Sequence, residues 1–294
     1  MAAPSDPFLT HRSLLFTVAY EMLGSAADAE DVLQESWLRW AEADRTEVRD
    51  PRAYLVRIVT RQSLNRLRTL SRRREDYVGQ WLPEPLLTSP DVADDVELAE
   101  SVSIALLTVL ETLGPTERAV FVLREVFDVP YGEIAEAVGK TPATVRQIAR
   151  RSRDHVAARQ PRVTVTRTEQ QTVVDRFLSA LRTGDLQALM EVMSPDVVMI
   201  ADGGGHVAAA LVPLHGVDLV ANLLAGARTR VTELAATPVW FNAAPAARLE
   251  FDGEPSAVSV VVSDAGSDAR ITHIYVVRNP VKLTRIDEEA ELGR

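Results

Sequence analysis

Apolar side chains occupy most positions from Leu9 to Leu23 and Gly24 ends the run, which predicts a helix. A second helix is predicted from Ser25–Asp28 onward, because Ala29, Val32, Leu33, Trp37 and Trp40 recur at helical spacing. Its other face carries Asp31, Gln34, Glu35 and Leu38. A third helix is predicted from Asp50-Pro51 to about Arg74. Pro51 suits a first turn, where its missing N–H costs nothing. Tyr54, Leu55, Ile58, Val59, Leu64 and Leu67 supply the buried side. Residues 1–75 therefore read as a compact all-helical domain.

The pattern then breaks. Prolines remove backbone donors and push the residues before them towards extended conformations, so no helix runs through Gln80-Trp81-Leu82-Pro83-Glu84-Pro85. Residues 76–94 read as a linker, and helices resume over 95–160. The expected pieces are Asp94 to Leu113, then Arg118 to Phe127 after a restart at Gly114-Pro115-Thr116-Glu117, then Pro130 to Val138, then Pro142 to about Ala158. The last two, joined by Gly139-Lys140-Thr141, have helix-turn-helix form. Ile134, Ala135, Val138, Val145 and Ile148 can pack the pair together, with Thr141 placed to cap the second helix. That leaves Thr144, Arg146, Gln147, Arg150 and Arg151 free near its start. The first turns of such a helix enter the major groove of DNA, where Arg matches guanine and Gln matches adenine through paired hydrogen bonds.

After a second linker, Pro161 to Thr168, the texture changes again. Helices are predicted over Gln170–Arg182, Asp185–Met193 and Val217–Ala227. Strands are predicted over Val197–Ile200 and Val207–Val212, flanking an Asp202-Gly203-Gly204-Gly205 turn. Four more follow at Pro238–Asn242, Ala246–Phe251, Ala257–Val262 and Ile271–Val277. Helices followed by an antiparallel meander predict an α+β domain over 168–294. The expected fold class is multidomain: two all-α helical domains, the second with a helix-turn-helix, plus a C-terminal α+β domain.

Length and charge sharpen this picture. The chain has 294 residues, room for two or three small domains. A net charge of −10 argues against nucleic acid until its distribution is seen. Between Arg49 and Arg74 the only acid among the arginines is Asp50, and between Lys140 and Arg162 the only one is Asp154. The acidity sits in the linker region (Glu84, Asp91, Asp94, Asp95, Glu97, Glu100) and further on. Two basic stripes on an acidic chain point to DNA. The absence of cysteine excludes disulfides, thiolate metal sites and thiol nucleophiles. No apolar run is long enough to span a bilayer, and Met1 to Thr10 lacks the features of a signal peptide. The expected location is the cytoplasm, with no membrane partner.

Three separated motifs then point to one family. Asp28-Ala29-Glu30-Asp31-Val32-Leu33-Gln34-Glu35-Ser36-Trp37-Leu38-Arg39-Trp40 closely resembles the polymerase-binding helix of extracytoplasmic-function sigma factors. Leu113-Gly114-Pro115-Thr116-Glu117-Arg118, Phe121-Val122-Leu123-Arg124-Glu125 and Pro130-Tyr131-Gly132-Glu133-Ile134-Ala135 resemble the second domain of the same family. The resemblance implies a promoter-reading subunit of RNA polymerase, with 1–75 as sigma region 2 and 95–160 as region 4. It implies that Asp31, Gln34, Glu35 and Leu38 contact the β′ clamp coiled coil, with the β flap as a further polymerase contact. Arg57, Arg61, Asn65, Arg66, Arg68 and Arg72 would bind the −10 element. Many family members carry Asp where this chain has Asn65. Thr141, Thr144, Arg146, Gln147, Arg150 and Arg151 would read the −35 element.

The C-terminal part resembles the SnoaL-like fold, a cone of helices against a curved sheet, and in particular the sigma factors that carry it as an extension. The residues concerned are Trp81-Leu82-Pro83-Glu84-Pro85, Asp202-Gly203-Gly204-Gly205 with His206 at a family lysine position, and Asn279-Pro280-Val281-Lys282-Leu283 with Val281 at a family aspartate position. The resemblance implies a domain that docks on region 2 and the linker, with Trp81 as anchor. It would regulate in cis, so that no separate anti-sigma factor is required. A small-molecule ligand of this domain is a further expectation; no cofactor or metal is expected.

Two other classes compete. An enzyme of the cyclase or isomerase kind would draw on Asp202, His206, His215, Asp218 or His273, yet these form no clear acid–base constellation and no strong metal motif. A helix-turn-helix repressor with a ligand-binding domain would have no use for the Asp28–Trp40 helix.

Overall fold

The computed structural model describes residues 6–74, 76–161, 165–264 and 268–294, apart from the side chains of 71–74 and 264. The side chain of Arg72, expected at the −10 element, therefore lies outside the described residues.

The first helical unit contains α1 (Pro7–Thr10), α2 (Arg12–Leu23), α3 (Ala26–Glu42) and α4 (Pro51–Arg74). Every residue of α2 from Leu14 to Leu23 is buried. A helix without a polar stripe must be enclosed on all sides, and α2 is the central rod on which α3 and α4 pack. Gly24 ends it in the left-handed conformation, φ 68°.

The second unit contains α5 (Val96–Ser101), α6 (Ile104–Leu110), α7 (Pro115–Phe121), α8 (Tyr131–Val138) and α9 (Pro142–Ala157). The single helix expected from Asp94 to Leu113 is divided. Pro90–Asp94 forms a 3-10 turn, and the chain restarts at Ser103, whose hydroxyl accepts from the Leu106 N–H. A serine that caps a new helix offers the backbone an alternative to continuing the old one. Past α7, the chain widens into a π turn over Val122–Val126. The two units share one hydrophobic core, running from Leu15 and Leu55 to Leu107, Val120 and Ile134.

The third unit has α10 (Arg167–Thr183), α11 (Leu186–Val192) and α12 (Val217–Arg230) against a six-stranded sheet. The strands are β1 (Met193–Asp202), β2 (Leu214–His215), β3 (Leu234–Phe241), β4 (Ala244–Phe251), β5 (Glu254–Asp264) and β6 (Ala269–Val277), in the order β2-β1-β6-β5-β4-β3. β3 to β6 form the expected antiparallel meander, but β1 lies parallel to β6. Parallel neighbours need a long crossover, and the chain from β1 through α12 to the far-edge strand β3 supplies it. The strand expected at Val207–Val212 does not form; only Leu214–His215 pairs with β1. The cause is local. Arg278 and Asn279 donate their N–H groups to the Asp202 carbonyl, and the chain leaves the sheet there through left-handed Gly204 and Gly205.

Both faces of the sheet are covered. Val258, Val260, Ile274 and Val276 point inward to Val173, Val174 and Phe177 of α10. Ala257, Val261, Tyr275 and Val277 point outward to Leu82, Ile104, Ala105, Leu283 and Ile286. Alternation along a strand sends neighbours to opposite faces, so a strand apolar on both faces, such as Ala257–Val262 with Ser259 as its one polar residue, is explained by partners on both sides. Among the described residues no helix is long and apolar enough to cross a membrane.

Candidate functional site

α3 begins at Ser25, whose hydroxyl accepts from the Asp28 N–H. Its inner stripe of Ala29, Val32, Leu33 and Trp40 is buried, which turns Asp31, Gln34, Glu35 and Leu38 outward. Leu38 is 58% exposed, an apolar side chain in a polar setting. Arg66 of α4 reaches this surface: its Nε donates to Asp28 Oδ1 at 2.7 Å and its Nη2 to Asp31 Oδ2 at 3.1 Å. Gln62 donates to Glu35 at 2.8 Å. The acids of α3 and the polar side of α4 are thus one continuous surface.

The arginines of α4 have different surroundings. Asn65 and Arg68 are exposed. Arg57 pairs with the Glu136 carboxylate at 3.2 Å, and Arg61 donates to the Glu136 carbonyl at 2.9 Å. Glu136 belongs to α8, the first helix of the helix-turn-helix. This contact between the first basic stripe and the helix-turn-helix has no signature in either segment alone.

α9 keeps its polar face open. Thr141 accepts from the Thr144 N–H at 3.2 Å, while Val145, Ile148 and Ala149 are buried against the rest of the unit. Arg146, Gln147, Arg150 and Arg151 are exposed together. The geometry suits insertion of the first turns into a groove.

A third site lies at the junction of the linker and the sheet. The Asp202 carboxylate, 0% exposed, accepts from Tyr77 Oη at 2.6 Å, the Leu82 N–H at 2.9 Å and Lys282 Nζ at 2.7 Å. Lys282 also donates to the Leu82 carbonyl, and its Nζ sits 3.8 Å from the Trp81 ring centroid. Asn279 donates to Tyr77 Oη at 2.8 Å and caps the turn from Pro280 to Lys282 through the Val281 N–H. Gly204 is required here: its φ is +60°, and an added Cβ would fall 2.2 Å from Asn279 Nδ2. Position 206 does not supply the cation. His206 and Val281 are both exposed, and Lys282 alone neutralises Asp202 among the described residues.

The linker is also fastened to the first unit. Glu84 is buried, and its carboxylate accepts from Ala26 N at 2.8 Å, Ala27 N at 3.4 Å and Ser25 Oγ at 3.1 Å, at the start of α3. Burial raises the Glu84 pKa above the usual carboxylate range, while these donors pull it back. The Glu84 N–H bonds the Gly24 carbonyl, and the Leu86 N–H bonds Asn242 Oδ1. Every non-proline N–H from Leu82 to Leu86 is therefore satisfied, and Pro83 and Pro85 have none to satisfy. Trp81 lies against Gly24, where a Cβ would come within 2.7 Å of the indole. Glu84→Ala is expected to cost about 1 kcal/mol, the usual loss of a helix N-cap. Amide exchange at Ala26 and Ala27 should rise, and unchanged protection there would contradict the capping role.

The competing acid–base candidates do not converge. Asp202 is committed to the linker, His206, His215 and Asp218 are exposed, and His215 and His273 flank Val198 from opposite neighbouring strands. Burial lowers the His273 pKa, against the pull of Asp196. Among the described residues no group of three or more His, Asp or Glu side chains could hold a metal ion. Sequence reasoning missed Tyr77, Tyr20 and Asn242. Asn242 donates to Tyr20 Oη and the Val102 carbonyl, and Tyr20 donates to the Glu84 carbonyl. The signal for Asn242 was its place as the last residue of a predicted strand, just before a turn, since Asn tolerates the left-handed conformation it adopts there, φ 53°.

Two helical units with exposed basic faces, one of them in a helix-turn-helix, joined by a linker clasped to an α+β domain, have the build of a multidomain promoter-recognition protein. The Sigma-70 region 2 family model matches residues 8–73, and that of Sigma-70, region 4 matches residues 103–156. The ECF RNA polymerase sigma factor SigJ of Mycobacterium tuberculosis is 35% identical over 93% of this chain and 91% of its own length. The probable ECF RNA polymerase sigma factor SigI of the same organism is 33% identical over 98% of this chain and 97% of its own. The crystal structure of M. tuberculosis SigJ superposes with a TM-score of 0.76 at 34% identity, covering 94% of this chain and 97% of that one. The chain belongs to the extracytoplasmic-function sigma factors of RNA polymerase, in the form that carries a C-terminal SnoaL-like domain. It directs promoter-specific transcription initiation, with core RNA polymerase and promoter DNA as partners, and is not itself an enzyme.

Proposed function

We propose that the C-terminal domain regulates this sigma factor in cis by fastening the interdomain linker and keeping regions 2 and 4 packed together. The observation that carries the reading is the buried Asp202–Lys282 pair, which grips Leu82 and Trp81. The outer face of the sheet meets Leu82 from the linker and Ile104 and Ala105 from the second unit, so one surface holds both. In the packed arrangement Arg57 and Arg61 are engaged by Glu136 and withheld from the −10 element.

In this reading Arg57, Arg61, Asn65, Arg66, Arg68 and Arg72 bind the −10 element once the units part. Thr141, Thr144, Arg146, Gln147, Arg150 and Arg151 read the −35 element. Asp31, Gln34, Glu35 and Leu38 engage the β′ clamp coiled coil, with the β flap contacting region 4. The built-in domain makes a separate anti-sigma factor unnecessary, and the protein works in the cytoplasm, where the polymerase is. A small molecule bound to the C-terminal domain biases packed against open.

Promoter-dependent transcription with core polymerase tests this. The chain ending at Pro161 and the full-length Lys282→Met variant are both expected to give more transcript than the intact chain. An interdomain coupling of the usual size corresponds to a change of roughly 5- to 100-fold. Equal output from all three sinks the cis-control reading.

A further inference from the structure

The face of the sheet that docks the helical units does not close completely. Between it, the α5–α6 turn and the end of α9 lies a cleft of about 740 Å³, a size suited to a metabolite-sized molecule. Phe241, Val261 and Tyr275 form one wall, and Ile104 and Ala105 the opposite one. This is not the interior of the cone, which lies on the other face of the sheet, where Val258, Ile274 and Val276 meet α10.

Tyr275 is only 4% exposed and lines the cleft, yet its hydroxyl has no hydrogen-bond partner among the described residues. Ser259 stands opposite it in the β5–β6 register and also lines the cleft, and its hydroxyl is likewise without a partner among the described residues. Neither oxygen is sealed off from the cleft, so an acceptor bound there can take the hydrogen bond that solvent would otherwise make. Burial also raises the Tyr275 pKa, which keeps the phenol protonated and a donor.

The cation that lines the cleft, Arg167, is already answered, and the lining carboxylate is Glu100. Arg167 pairs with Asp94 at 2.8 Å, and Glu100 accepts from Gln160 at 3.4 Å. An anionic ligand would lose its hydration without meeting a free cation among the described lining residues, and would face the like charge of Glu100.

We infer that this interdomain cleft binds a neutral, largely apolar small molecule bearing a carbonyl oxygen, which accepts a hydrogen bond from Tyr275. Such an occupant touches region 4 and the sheet at once. Its site is complete only while the two are packed, so binding favours the packed arrangement. That consequence for transcription rests on the cis-control reading above; the binding site itself does not.

The probe is 6-propionyl-2-(dimethylamino)naphthalene, a neutral naphthyl ketone whose emission reports both apolar surroundings and hydrogen bonding at its carbonyl. Titrated against the full chain, it should bind saturably with blue-shifted emission. Tyr275→Phe preserves shape and removes the donor, and should weaken binding about 3- to 10-fold, the equivalent of one hydrogen bond. Ser259→Phe fills the cleft beside Tyr275 and should abolish saturable binding. Unchanged binding in Tyr275→Phe, or in a Ser259→Phe protein that circular dichroism shows to be folded, would put the probe elsewhere and overturn the assignment. No saturable binding to the intact chain overturns it equally. If Ser259→Phe blocks the probe while the chain ending at Pro161 transcribes like the intact protein, the cleft stands as a binding site and its link to transcription falls.

Discussion

Replacing Lys282 with Met loosens the linker from the sheet and costs about 3–5 kcal/mol, the usual result of breaking a buried ion pair from one side. The Asp202 side chain is 0% exposed and that of Lys282 11% exposed, so water cannot take over the lost charge. Tyr77 Oη and the Leu82 N–H remain as donors, but neither carries a charge. The Leu82 carbonyl loses its ammonium donor and the Trp81 ring its cation at the same time. The measurement is guanidinium unfolding of the full chain, followed by tryptophan emission, with limited proteolysis across 76–94. The variant should unfold at lower denaturant and be cut faster within the linker. Asp202→Asn combined with Lys282→Met should recover much of the loss, since no charge is then buried alone. A single variant as stable and as protease-resistant as the parent would remove the clasp from the account.

Raising the pH from about 5 to about 8 loosens the packing of region 2 on region 4, and Glu21→Gln removes most of that dependence. Glu21, on α2, is fully buried where α2, α5 and α7 meet. Burial pushes its pKa from 4.5 up to about 8, against the pull of Ser101, Arg118 and Arg294. Ser101 Oγ donates to Glu21 Oε1 at 2.7 Å, while Arg118 Nε donates to the Glu21 carbonyl at 2.9 Å. Arg118 has its ion pair with Glu111, so its charge is met without ionising Glu21. A carboxyl whose pKa is raised in the packed state contributes its stabilising effect in full below the unpacked pKa of 4.5. That contribution falls as the pH climbs towards 8 and is gone above it. A tenfold difference in proton affinity between the packed and unpacked states is worth about 1.4 kcal/mol, so the whole effect is on the order of several kcal/mol. Glu21→Gln keeps the shape of the neutral acid and should hold the unfolding midpoint nearly flat from about pH 5 to 8. A parent chain with no slope in that window, or a variant with the same slope, would show that Glu21 does not set it.

Much of the architecture could be read from local pattern. The stripe of Ala29, Val32, Leu33 and Trp40 turned Asp31, Gln34, Glu35 and Leu38 to the surface, because helix periodicity reports which side of an element is buried. The same reasoning left the polar face of α9 open and identified Thr141 as its cap. It also placed Trp81 to Pro85 outside any helix, because two prolines forbid one. Two details were misread. Ser103 restarts a helix that the apolar run alone made continuous, and Val207–Val212 stays out of the sheet, which the chain leaves through left-handed Gly204 and Gly205.

The sequence by itself determined the elements, their exposed faces, the two basic stripes and the motifs of the linker and the C-terminal domain. Only the tertiary structure decided which groups meet. Asp202 reaches Leu82 across 120 positions and Lys282 across 80, and Arg57 reaches Glu136 across 79. It also decided that β1 runs beside β6, that the outer face of the sheet is occupied by the helical units, and that Glu21 is enclosed between them. The physical reason is that periodicity and capping act within a few residues along the chain. The partner of a buried charge is chosen by packing, through the cost of leaving that charge alone.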